Sequence, residues 1–180
     1  MIYQKSIKNE VSAIGVGLHT GQKVRIVLKP AKENKGIIFK RTDIEPQTEI
    51  KVEPEAVKET RLSSTIGKGE IKISTVEHLM SALSALGIDN IIIEVSGSEI
   101  PLMDGSSISF IYLIKSAVIQ VQSELKKFAV IKDVIEIKED EKYAKFEPYN
   151  GFLVDFKIDF SHPAFKEENS RVEIDFFKDS

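Results

Sequence analysis

The sequence contains no cysteine and no tryptophan. Without cysteine there is no disulfide and no thiolate ligand, so any metal site must be built from histidine and carboxylates. The lack also suits a reducing cytosol. Histidine itself is scarce, with His19, His78 and His162 the whole supply. Neither sign of charge dominates: the formal net charge is −3 over 180 residues, which gives no global electrostatic reason to expect nucleic acid. Long apolar runs are missing too. The opening MIYQKSIKNEV holds no stretch of signal-peptide length, and charges interrupt every later apolar run before it reaches the length of a membrane span. The expectation is a cytoplasmic protein with no transmembrane segment. Peripheral proximity to a membrane stays open, because these patterns do not report it.

What is present suffices for a core, with 42% hydrophobic and 29% charged residues. In KVRIVLK, Val24, Ile26 and Leu28 fall on one face while Lys23, Arg25 and Lys29 fall on the other, as in a half-buried strand. The preceding IGVGLHTG contains Gly-x-Gly, but a dinucleotide loop needs a helix next and a strand follows. AKENKG (31–36) reads as a turn and IIFKRTD (37–43) as the next strand. EIKIS (70–74) is a short strand running into a helix that ends at Gly87. NIIIEVSG (90–97), contiguous and β-branched, reads as a buried strand. After the loop SEIPLMDGSS, residues 106–118 repeat Ile108, Ile111 and Tyr112 at helical spacing.

The pattern restarts at Leu125-Lys126-Lys127. FAVIKDVIEIK, KYAKFEP, GFLVDFKIDF and RVEIDFF all alternate, and no helical stretch separates them. The expected class is α+β, with residues 1–126 a complete domain and 127–180 an incomplete second one made of strands only. Such a sheet would leave an apolar face uncovered.

The stretch STVEHLM (74–80) carries the main chemical question. Ser74 and Glu77 match the S-x-x-E capping box, which would explain the glutamate structurally. Val76, Leu79, Met80, Leu83 and Leu86 form one apolar stripe, and Glu77, His78, Ser81, Ala82, Ser84 and Ala85 lie off it. A solvated helix face normally carries several long charged side chains. Small residues beside a Glu-His pair would instead let a ligand approach, with the carboxylate able to serve as general base and the imidazole as metal ligand. Both readings stay open on pattern alone. Catalytic zinc takes three protein groups. A set of His19, His78 and His162 is allowed by count, but nothing in the spacing favours it: His19 sits in a glycine-rich turn and His162 precedes Pro163.

GVGLHTG (15–21), ISTVEHLMSAL (73–83), DNIIIEV (89–95), EIPLMDGS (99–106), and KFEPYNGF with DFKIDFSHPAF (145–165) occur in an order that resembles the UDP-3-O-acyl-N-acetylglucosamine deacetylases. These are zinc-dependent amide hydrolases of lipid A synthesis in Gram-negative bacteria. The resemblance covers essentially the whole chain and implies a two-domain sandwich of sheet-plus-helix units with the active site between them. It implies Glu77 as general base, His78 as a zinc ligand, and Lys142, Phe160, His19, Leu62 and Ser63 as substrate-binding. Many members carry cysteine where Ser63 stands. The implied substrate is UDP-3-O-acyl-N-acetylglucosamine and the implied cofactor Zn2+, with no nucleic-acid partner. The H-K-x-x-D helix that supplies the family's other zinc ligands, its oxyanion threonine and its general-acid histidine are not in this sequence. A truncated member is therefore the expectation, inactive as it stands. The alternatives are a non-catalytic α+β binding module and a decayed fragment of the family.

Overall fold

An apolar, β-branched run has little to offer water, and the run Ile91–Val95 becomes the central strand of a five-stranded sheet in the computed structural model. The structure describes residues 1–158 and 171–176. The chain divides into two units, Met1–Lys126 and Lys127–Ser180.

The first unit runs β1 (Tyr3–Ile7), β2 (Val11–Val16), β3 (Lys23–Pro30), β4 (Ile37–Arg41), β5 (Glu49–Lys51), β6 (Val57–Glu59), β7 (Thr65–Lys68), β8 (Ile71–Ile73), α1 (Glu77–Leu86), β9 (Ile91–Val95), α2 (Ile108–Ser116) and β10 (Ile119–Leu125). The main sheet has the order β2-β3-β9-β4-β5. All its pairs are antiparallel except β4 with β9. Strands β6, β7 and β8 form a separate antiparallel sheet, and β1 pairs with β10.

The alternation read in β3 is realised: Val24, Ile26 and Leu28 are buried, with Lys23 and Arg25 exposed. They share one core with Ile91, Ile93 and Val95 of β9, Leu79, Ala82 and Leu83 of α1, and Phe110 and Ile114 of α2. Strand β9 is less enclosed than its sequence suggests, because Ile92 and Glu94 are only half-buried. Their face carries the Lys29–Glu94 ion pair at 2.8 Å, so the helices cover the other face. Ala82 is a second difference. It is fully buried rather than outside the stripe, since it lies three residues from Leu79 and shares its face. Among the described residues no helix is long and apolar enough to cross a membrane.

One polar cluster lies inside this unit. The Asn90 side-chain amide donates to Gln4 Oε1 and to Gln122 Oε1, each at 2.8 Å, while its Oδ1 accepts from the Gly36 N–H at 2.8 Å. The Gln4 side chain reaches Asn34 and the carbonyl of Leu125. Asn90 thereby fastens the β1–β10 pair and the turn before β4 to the start of β9.

The described residues of the second unit form two antiparallel strand pairs, β11 (Ile135–Glu139) with β12 (Lys142–Phe146) and β13 (Leu153–Lys157) with β14 (Arg171–Asp175). Its described elements are all strands, as the alternation suggests. Every buried hydrophobic side chain among the described residues belongs to the first unit. The β13–β14 pair carries an exposed Arg171–Asp155 ion pair at 2.7 Å, and beside it the Tyr149 hydroxyl donates to Asp175 at 2.7 Å and Phe152 stacks on Phe176 at 5.1 Å.

Asn90→Ala should leave Gln4, Gln122 and the Gly36 amide without their partner and cost about 1–3 kcal/mol, read as a lower urea midpoint at unchanged slope. An unchanged midpoint would show that the cluster contributes nothing.

Candidate functional site

Strand β8 delivers the chain to α1 through Ser74, Thr75 and Val76. The Ser74 N–H donates to the carbonyl of Ser98 at 2.9 Å and its carbonyl accepts from the Ile100 N–H at 3.0 Å. Thr75 then takes a left-handed backbone, φ 58°, a conformation costly for a β-branched residue. Helix α1 begins at Glu77 with Val76 as N-cap and no side-chain cap.

The capping box suggested by S-x-x-E is therefore absent. Ser74 lies too far before the helix to cap it, and its hydroxyl donates to the Ser98 carbonyl at 3.2 Å. The Glu77 carboxylate turns instead to another segment, accepting the Ser64 N–H at 3.0 Å through Oε2. The Val76 N–H donates back to the Ser64 carbonyl at 3.3 Å. Glu77 and His78 both stay half-exposed, whereas Leu79 beside them is fully buried. The helix start thus presents a carboxylate and an imidazole together at the edge of the core.

The segment before Ser64 is the one containing Leu62 and Ser63. Leu62 is 85% exposed and left-handed at φ 66°, so its backbone strain serves no packing of its own side chain. Ser63 is half-buried. The Ser64 bonds bring this segment against the helix start.

His19 is exposed in the turn between β2 and β3. That turn leads into an antiparallel hairpin, so the Gly-x-Gly is not a dinucleotide loop. It is tied down by Glu99, a residue that the sequence reading passes over as part of a loop. Glu99 is fully buried. Its Oε1 accepts the His19 N–H at 3.0 Å and the Thr75 hydroxyl at 3.0 Å, and its Oε2 accepts the Thr20 N–H at 2.9 Å and the Thr20 hydroxyl at 2.8 Å. Gly17 is required by this approach, because a Cβ there would lie 2.3 Å from Glu99 Oε2. Burial pushes the Glu99 carboxyl up, but these four hydrogen bonds outweigh it and hold its pKa below the ordinary glutamate value.

A groove of about 740 Å³ runs beside the same turn, lined by Ile14, Val16, Leu18, Leu102, Met103 and Asp104 among others. It borders the His19 turn, but none of Glu77, His78, Leu62 and Ser63 lines it.

In the first unit the Glu99 bonds tie the His19 turn to Thr75, just before Glu77 and His78, and the Ser64 bonds tie the segment after Leu62 and Ser63 to Val76 and Glu77. Lys142 is exposed at the start of β12 in the second unit. Phe160 and His162 lie outside the described residues. Among the described residues, no three His, Asp or Glu side chains are grouped to hold a metal ion. His78 is a suitable zinc donor, but one imidazole falls short of the three protein groups such a site takes. The described residues therefore do not by themselves fit a zinc site.

The chain matches, over residues 4–179, a family model described as "LpxC: UDP-3-O-acyl N-acetylglycosamine deacetylase". Curated proteins named UDP-3-O-acyl-N-acetylglucosamine deacetylase are 52% identical to it over 176 residues in Thioalkalivibrio sulfidiphilus and in Teredinibacter turnerae, and 50% identical in Nitrosococcus oceani. Each alignment covers 98% of this chain and 58% of the relative.

Two outcomes test the site's wiring. Glu77→Ala should speed hydrogen exchange of the Ser64 amide by about tenfold or more while Leu83 stays protected, since a charge-assisted bond is removed without touching the core. Equal Ser64 exchange in both proteins would refute the tether. The second concerns pH. A depressed carboxyl pKa contributes stability that is present above the unfolded value, about 4.3, and lost as pH falls through the folded value. The stability advantage of the native chain over Glu99→Gln should therefore be largest near neutrality and shrink below about pH 4.3 in urea titrations. An advantage constant across that range would contradict it.

Proposed function

The chain belongs to the UDP-3-O-acyl N-acetylglycosamine deacetylase family, and from that premise we propose that it serves hydrolysis of the acetamide of UDP-3-O-acyl-N-acetylglucosamine, releasing acetate for lipid A synthesis. The observation that carries this reading is the start of α1, where Glu77 is held by the Ser64 amide beside a half-exposed His78.

In this reading Glu77 takes a proton from the water that attacks the acetamide carbon. The Ser64 N–H occupies Oε2, which fixes the carboxylate plane and leaves Oε1 as the natural proton acceptor. His78, the next residue on the helix, is the family's metal donor, and zinc is the metal the family implies. Formation of the tetrahedral adduct calls for stabilisation of its oxyanion, and its collapse, which re-forms the carbonyl and breaks the C–N bond, calls for a proton on the departing amine. No described residue is assigned to either task. His19 and the Leu62–Ser63 segment would border the catalytic cleft and the acyl-chain route, and Lys142 and Phe160 would help hold the sugar nucleotide, the lysine through charge and the ring through packing. A cytoplasmic location follows from a sugar-nucleotide substrate, and no nucleic acid is needed. Residues 1–126 would act as the domain that carries Glu77 and His78, and residues 127–180 as strands of a second.

The chain spans 58% of its relatives' length, so the decisive experiment supplies the rest. A chimera of this chain with the remaining part of the Thioalkalivibrio sulfidiphilus relative should release acetate from UDP-3-O-acyl-N-acetylglucosamine. Glu77→Gln in that chimera should lower kcat by about 10²–10⁴-fold, the usual worth of a general base. A folded chimera without activity, or one indifferent to Glu77→Gln, would overturn the reading. The 180-residue chain alone should show no deacetylation and should keep well under one equivalent of zinc after dialysis. A full equivalent lost on His78→Ala would show that the chain completes a zinc site.

A further inference from the structure

Glu99 lies between two segments that the proposed function uses for different purposes. On one side is the β2–β3 turn with His19, and on the other the left-handed Thr75 that immediately precedes Glu77 and His78. A buried charge is stable only when it is well supplied with hydrogen bonds, and Glu99 has four, two on each oxygen. Three come from the turn and one from Thr75. Oε1 is shared between the segments, taking the His19 N–H and the Thr75 hydroxyl on one atom.

Neither segment is otherwise rigid by its own composition. The turn contains two glycines, Gly17 and Gly21, and Gly21 is left-handed at φ 64°. The helix start lacks a side-chain cap. The residue carrying the carboxylate is fixed in turn, since residues 98–100 pair with Ser74 through two backbone bonds. Gly17 has no room for a side chain against this carboxylate, so the backbone of the turn has been brought as close as the chain allows.

We propose that Glu99 is a positioning residue whose single carboxylate sets the His19 turn in register with the start of α1. Calling these two segments the walls of one substrate cleft rests on the deacetylase reading; their mechanical coupling through Glu99 does not. The consequence is transmission: a bond removed at Thr75 is felt at His19, and a bond removed at Thr20 is felt at His78.

The test uses the full chain in amide hydrogen exchange and in NMR of the histidine ring protons, with no metal and no substrate. Glu99→Gln should raise exchange at the His19 and Thr20 amides by about tenfold or more while Leu83 and Ile93 keep their protection. Thr75→Val, which retains the charge, should raise His19 exchange and shift the His19 ring signals. Thr20→Val should shift the His78 ring signals. A merely local structural role would leave the remote segment unmoved in the two valine variants, and that result overturns the proposal. If Glu99→Gln fails to fold, the valine variants decide alone. The deacetylase reading fails separately, through an inactive chimera, and leaves these outcomes as they are.

Discussion

The parallel pairing of β4 with β9 is the constraint from which the first unit follows. Two parallel neighbours cannot be joined by a tight turn, so the chain between them must leave the sheet and return across it. Residues 42–90 make that crossing, and they contain β5, the small β6–β8 sheet and α1. The crossing explains why an isolated three-stranded sheet occurs here at all. It also explains why α1 runs over the face that carries Ile91, Ile93 and Val95. Burial of Leu79, Ala82 and Leu83 against that face fixes the helix. The start of the helix is then the point where the crossing turns from strand to helix, and Glu77 and His78 stand there.

Much of this was legible in the sequence. The burial of Val24, Ile26 and Leu28 follows from simple alternation, and the helix end follows from Gly87, which is left-handed at φ 68° with its N–H on the carbonyls of Leu83 and Ser84. The Glu-His pair at the edge of the core was visible because it breaks the apolar stripe. The elements that escaped are those whose partners are distant. Strand β10 pairs with β1 more than a hundred residues away; Ile119, Val121 and Leu125 alternate with Gln120, Gln122 and Glu124 in its IQVQSEL, but Val121 and Leu125 are exposed, so the alternation does not report a buried face. Strands β6 and β7 are three and four residues long, too short for a period to show.

Glu99 is the instructive omission. In SEIPLMDG a glutamate reads as loop surface, and only the fold reveals that it is fully buried. The one sequence signal was on the other side of the contact. Gly17 stands where any Cβ would strike the carboxylate. A glycine in a turn has many ordinary reasons to be glycine, so the signal could not name its partner. The capping box failed for a related reason. The motif assumes that serine and glutamate have no better partners, whereas Ser98 takes the serine and Ser64 offers its amide to the glutamate.

That failure bears on how the site is sustained. A helix start without a side-chain cap forgoes roughly 0.5–2 kcal/mol, and a left-handed threonine beside it costs on the order of 1–3 kcal/mol more. Such a start persists only where the surroundings over-determine it. Here they do so from three directions: the Ser74 backbone bonds to residues 98–100, the Ser64 bonds to Val76 and Glu77, and the Thr75 hydroxyl on buried Glu99. Had Glu77 closed the capping box, its carboxylate would have folded back on the helix instead of reaching the Ser64 amide. The structure instead satisfies the helix start from outside and leaves the glutamate pointing across to the Leu62–Ser64 segment. That arrangement leaves a carboxylate and an imidazole side by side and half-exposed at the helix start.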